Sequence, residues 1–213
     1  MKARAVETPP PAATREKILD AAELLFIERG FSATSLRAIA SQAGVNLAAT
    51  HYHFGSKSGL LAAVFHRRVS PINEQRLSGL RRLTQDHPDP SCREILETFF
   101  SPFMCTDLDA AVPAVIGRIH GEPETVTKPL LESEFAEVAL EYEAALSRAL
   151  PDISRKELRW RCHFMVGSLL HLLRLNAPLG IKPADTSLGE GLERLIDFSL
   201  AGLEQASGGA RHA

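Results

Sequence analysis

The stretch Thr34–Lys57, TSLRAIASQAGVNLAATHYHFGSK, holds two short apolar-patterned halves around Gly44 and ends in His51-Tyr52-His53 and Lys57. It contains no Asp or Glu. Thr34 or Ser35 offers a hydroxyl to an orphan amide at the start of a first helix, whose inward face is Leu36, Ile39 and Ala40. Gly44 ends that helix, Val45 anchors the turn, and Asn46 caps a second helix, LAATHYH. Two short helices joined by a tight turn containing glycine make a helix-turn-helix. A plain helical hairpin would also explain Ala40, Gly44 and Val45. It would not explain an acid-free face tipped with two imidazoles and a phenol.

The surroundings sharpen this contrast. The chain has 213 residues and a net charge of −2, yet no acid occurs between Glu28 and Glu74. That window carries Arg29, Arg37, Lys57, Arg67 and Arg68. The stretch 122–146, by contrast, holds seven glutamates against one lysine. A basic N-terminal quarter on an acidic remainder fits a polyanion-facing module on a separate body. No apolar run is long enough to span a bilayer and no signal core opens the chain, so a cytoplasmic location is expected, with no membrane partner. Three cysteines without a CxxC spacing predict reduced thiols and no structural zinc, and no cofactor is expected. Cys105 and Cys162 read as small hydrophobes rather than as a redox switch.

The whole chain reads as all-α. Residues 1–13, rich in Pro and Ala, are expected to form a disordered arm. Thr14 is taken as the cap of a first helix with Ile18, Leu19, Ala22, Leu25 and Phe26 inward, stopped at Gly30. A long helix follows from Ser58, which Pro71 should kink or interrupt. Further helices are expected over SCREILETFFSPFM, with Phe99, Phe100, Phe103 and Met104 inward, and over 126–149, 154–175 and 186–206. A flexible tail, 207–213, ends the chain.

A recognition helix places its first turns in the major groove of duplex DNA while flanking groups hold phosphates. On the helix from Leu47, the residues Ala48, His51 and Tyr52 can point outward together. Small Ala48 admits close approach to base edges. Lys57, at the start of the next helix, suits a phosphate oxygen. Thr34, Ser35 and Arg37 can hold the opposite strand. His51-x-His53 lacks the further ligands a metal site needs, and no acid lies near enough in sequence to make either histidine catalytic.

The segment TREKILDAAELLFIERGFSATSLRAIASQAGVNLAATHYHFGSKSGLLAAVF resembles the DNA-binding domain of the TetR family of transcriptional regulators. The resemblance implies an all-α homodimer with a three-helix head over 14–60 and a larger effector-binding and dimerisation body over 61–206. It implies a non-enzymatic, ligand-responsive repressor of double-stranded operator DNA. Carried over by position, the DNA contacts are Thr34, Ser35, Arg37, Asn46, Leu47, Ala48, Ala49, His51, Tyr52, His53 and Lys57. Relatives often carry Thr-Leu-Tyr where this chain has Ala49-Thr50-His51, so their operator sequences do not transfer. VNLAA, HYHFGSK and the downstream WRCHFMVGSLLH are more similar to the PsrA-type branch, whose members respond to long-chain fatty acids.

The last two helices, with Gly167 and Ser168 among large apolar residues, are the expected dimer seam. An apolar cavity for a small apolar or fatty-acyl effector is expected between body helices. Its candidate lining is Phe99, Phe103, Met104, Phe135, Phe164 and Met165, each of which could equally be plain core. Arg118 and His120 sit on an apolar segment. Arg118 either meets the acid head of the effector or bridges to Glu134 or Glu137. The alternative for the whole chain is a helical carrier or enzyme whose N-terminal hairpin does not touch DNA.

Overall fold

The computed structural model describes residues 11–104, 111–119, 122–174 and 187–205. His120, Cys105, residues 1–10 of the arm and the tail lie outside the described residues. Among the described residues the chain forms nine α-helices. They are α1 (Pro11–Arg29), α2 (Leu36–Ala43), α3 (Leu47–Phe54), α4 (Lys57–Asp86), α5 (Cys92–Met104), α6 (Ala111–Ile119), α7 (Glu124–Ala149), α8 (Arg155–Arg174) and α9 (Leu188–Glu204). No described helix is long and apolar enough to cross a membrane.

The head is assembled by caps and one buried stripe. Ile18, Leu19, Ala22, Leu25 and Phe26 on α1 are buried, and Phe31 folds back onto Phe26 with ring centroids 5.8 Å apart. Gly30 ends α1 at φ 87°, a backbone region that costs a side-chain-bearing residue about 1–2 kcal/mol. Thr14 does not cap α1, which already runs from Pro11. Pro in a first turn forgoes no helical hydrogen bond, and Ala12 and Ala13 are strong helix formers.

Ser35 is the cap of α2: its hydroxyl accepts from the Ala38 amide at 3.1 Å. Asn46 caps α3 by accepting from the Ala49 amide at 2.7 Å. Between them Gly44 is left-handed, and Val45 N–H closes the turn on the Ala40 carbonyl.

α4 joins head to body. Leu60, Leu61, Val64 and Phe65 face the head side of the core, and Val69, Ile72, Arg76 and Leu80 continue the same stripe into the body. Pro71 does not end the helix. It is exposed, and burial on the opposite face outweighs the ~3 kcal/mol that an interior proline costs. α5 and α7 pack against the body half of α4, α9 packs on α5 and α8, α8 also meets α7, and α6 touches α1, α4 and α8, so it reaches both halves.

Met104 is 39% exposed at the end of α5 and does not turn inward with Phe99, Phe100 and Phe103. Met104 stands about 100° round the helix from buried Phe103 and so falls off the edge of the inward stripe.

Candidate nucleic-acid interface and effector cavity

The outward face of the head is small. Arg37, Asn46, Ala48, His51 and Tyr52 are exposed, Tyr52 at 84%. Leu47, Ala49 and His53 are half-buried, and the His53 ring packs edge-on to Tyr52 (5.1 Å) and beside Phe54 (6.2 Å). His51 Nδ1 donates to the Gly55 carbonyl at 3.1 Å. A carbonyl oxygen only accepts, so this contact puts the ring hydrogen on Nδ1. Nε2 is then the ring nitrogen left to meet a base edge.

Several basic or hydroxyl groups named from sequence are spent inside the fold. Thr34 is 3% exposed, and its hydroxyl points inward to the carbonyls of Gly30 (2.7 Å) and Leu25 (3.2 Å). It holds the α1–α2 turn and does not face outward. Lys57 Nζ donates to the carbonyls of Phe31 (2.9 Å) and Thr34 (3.0 Å) and sits 4.2 Å from the centroid of the Phe31 ring. Two of its three protons clamp the turn that precedes α2. Lys57→Met is therefore expected to lower head stability by about 2–3 kcal/mol, read by urea unfolding, independently of any effect on DNA.

Arg67 and Arg68 are not part of an open basic patch either. Both donate to Glu23, which is 7% exposed on α1, and Arg67 also reaches Asp20 at 2.7 Å. Their partners precede the acid-free window, so only the folded chain brings them together. Burial raises the Glu23 carboxyl, but hydrogen bonds from Arg68 and Arg67 outweigh it and hold the group below the ordinary value of 4.5.

A second link couples the head to α6. Just beyond that helix, the Glu122 carboxylate accepts from the Phe31 amide (2.7 Å), the Ser32 amide (3.3 Å) and the Ser32 hydroxyl (2.9 Å). Glu122 from the body and Lys57 from α4 thus hold opposite polar groups of one turn. Sequence reading missed Glu122, because nothing local relates it to a turn about ninety positions earlier.

The body holds a partly open cavity of about 610 Å³ among α4, α5, α6, α7 and α8, within the range of about 300–1,000 Å³ typical of small-molecule sites. Phe99, Phe103, Phe135 and Met165 line it, together with Leu96, Ile116, Tyr142 and Leu169. Phe164 is 63% exposed on the outer face of α8 and, like Met104, is not on the wall. Arg118 is also elsewhere: it is exposed at the end of α6, beside Phe31 and Glu122 at the head. Glu134 pairs with His66 (3.0 Å) and Glu137 with Arg81 (3.1 Å), so neither receives Arg118. Position in an apolar segment did not reveal that Arg118 projects from the rim of its helix.

Arg159, on the cavity wall, is exposed and held by Glu143; the buried arginine of the wall is Arg76, which the sequence reading passed over. Its signal was present: with Val69, Ile72 and Leu80 it falls on the buried register of α4. Cys162 also lines the cavity, and burial pushes its thiol up to about 11, which keeps it a thiol at neutral pH.

Two family models match the chain. One, described as bacterial regulatory proteins of the tetR family, covers residues 18–64; the other, a tetracyclin repressor-like C-terminal domain, covers 97–202. The HTH-type transcriptional repressor BepR of Brucella suis is 40% identical over 79 residues, covering 37% of this chain and 36% of that protein. The chain thus spans only about a third of the length of the first curated relatives it matches, 34–38%. Among solved structures, a SmeT–triclosan complex superposes with TM-score 0.67 at 23% identity, covering 94% of this chain and 99% of that one. The fatty acid degradation regulator FadR of Bacillus halodurans superposes with TM-score 0.62 at 14% identity, covering 88% and 98%. At these identities the structural likeness establishes the fold.

Proposed function

The chain belongs to the TetR family of transcriptional regulators, and from that premise we propose that it is a ligand-responsive DNA-binding repressor acting as a homodimer. The observation that carries this reading is the acid-free outward face of α2 and α3, capped by Ser35 and Asn46 and presenting Arg37, Ala48, His51 and Tyr52. Helix ends with capped, outward-facing first turns suit backbone phosphates, and the side chains of α3 suit base edges. Asn46, Leu47, Ala49 and His53 complete the proposed contact surface, with Ser35 at its margin.

Homodimerisation is supported by large apolar side chains left open on the last two helices. Trp160 and Phe164 on α8 are 54% and 63% exposed, Phe198 on α9 is 69% exposed, and Gly167 has open space where a side chain would stand. A two-fold pair repeats the reading surface on a second half-site about 34–36 Å or a multiple of that away. The effector is a small, largely apolar or acyl compound held in the body cavity. Support comes from the apolar wall, and by analogy from the triclosan and fatty-acid regulators of the same fold.

The test is binding of the purified dimer to random duplex DNA across a salt series. The logarithm of affinity is expected to fall linearly with that of salt, at a slope of about −0.9 per phosphate neutralised. His51→Ala is expected to relax base preference by about 1–3 kcal/mol at one position per half-site, with little change in the salt slope. A folded, effector-free dimer with no duplex affinity at low ionic strength would overturn the reading.

A further inference from the structure

Arg76 is 3% exposed and lines the body cavity. Its Nε donates to the Phe99 carbonyl at 3.0 Å and its Nη1 to Asn73 Oδ1 at 3.4 Å. The guanidinium lies 3.9 Å from the centroid of Phe99 and 5.2 Å from that of Phe103. Nη2 has no hydrogen-bond partner and the guanidinium no carboxylate partner among the described residues.

The acids of the wall do not answer it. Glu143 is held by both Arg159 Nε (2.8 Å) and Nη2 (3.0 Å), and Glu132 is exposed at the rim. The Tyr142 hydroxyl donates to the Arg76 backbone carbonyl, not to its side chain. Burial draws the guanidinium down to about 10, which still leaves it charged at neutral pH. An arginine carries five N–H donors, and a buried charge without a counter-charge is costly, so this fork is a standing demand for an anion.

We propose that Arg76 is the anchor for the anionic head of the cavity's ligand, and that this ligand is an amphipathic monoanion: one carboxylate on an apolar chain. The planar fork matches a carboxylate, and the ring of Leu96, Phe103, Ile116, Phe135 and Met165 takes the chain. A cationic or neutral apolar compound fills the same volume but leaves the guanidinium unmet. The proposal rests on the reading of this cavity as the effector site and adds the charge class of the effector.

Decanoate and decan-1-ol serve as probes in calorimetric titrations of the full-length protein without DNA. Decanoate is expected to bind about tenfold or more tighter than the alcohol. R76M is expected to lose that preference while holding the alcohol within about threefold, and R76K, with the charge but not the fork, to fall between. Equal affinity of the wild type for both probes, or binding of neither, overturns the proposal. So does unchanged preference in R76M. The wild-type comparison decides the matter even if R76M does not fold. Decanoate binding through Arg76 with no change in duplex affinity would uphold the anchor and remove the effector reading.

Discussion

Glu23→Ala is expected to lower the unfolding free energy by about 3 kcal/mol, at the lower end of the ~3–5 kcal/mol seen when one partner of a buried ion pair is removed. Glu23 is 7% exposed and receives both Arg67 and Arg68, whose side chains are each about a quarter exposed. The deletion removes the buried carboxylate that the two guanidinium groups share in the seam between α1 and α4. Asp20 stays within reach of Arg67 and offsets part of the loss, whereas Arg68 loses a bidentate partner. The effect carries a pH signature. The folded-state value of Glu23 lies below the ordinary 4.5, so its contribution is complete above pH 4.5 and is lost as pH falls through the lowered folded value. Urea unfolding of wild type and variant should show a constant gap near neutrality that narrows below pH 4.5. A gap unchanged at lower pH would mean that packing, and not charge, accounts for the loss.

Gly30→Ala is expected to cost about as much, about 3 kcal/mol, from two sources. A non-glycine residue at φ 87° loses about 1–2 kcal/mol. The new Cβ would also stand 2.8 Å from Glu122 Oε1 and 3.0 Å from an Arg118 nitrogen. The carboxylate end must then shift away from the Phe31 and Ser32 amides, weakening charge-assisted hydrogen bonds worth about 1.5–3 kcal/mol when intact. A double-mutant cycle with Glu122→Ala separates the two: once Glu122 is gone, Gly30→Ala should cost only its backbone share. Additive losses would show that the carboxylate does not move. Because Glu122 follows α6, which also borders the cavity through Ile116, the same variants are expected to weaken any effect of cavity ligands on duplex affinity.

The elements of the head were legible because their determinants are local. Gly30 and Gly44 stand at left-handed stops, Ser35 and Asn46 at caps, and the apolar register of α1 and α2 repeats at helical spacing. Fates of individual polar groups were not legible. Thr34 and Ser35 are equivalent as cap candidates until the turn is closed, and only then does one hydroxyl point inward. Pro71 reads as an interruption until the far face of α4 is seen to be buried.

The amino-acid order alone determined that this chain is all-α, that a helix-turn-helix occupies its N-terminal quarter, and which face of α3 looks outward. Those properties depend on side chains within a few positions of one another. Tertiary structure decided which charges are available to a partner. Lys57, Arg67 and Arg68 are engaged by groups as much as 51 residues away, while Arg76, inconspicuous in the sequence, is buried with no acid among the described residues to meet it. Electrostatic pairing depends on distance through space, and only folding sets that distance.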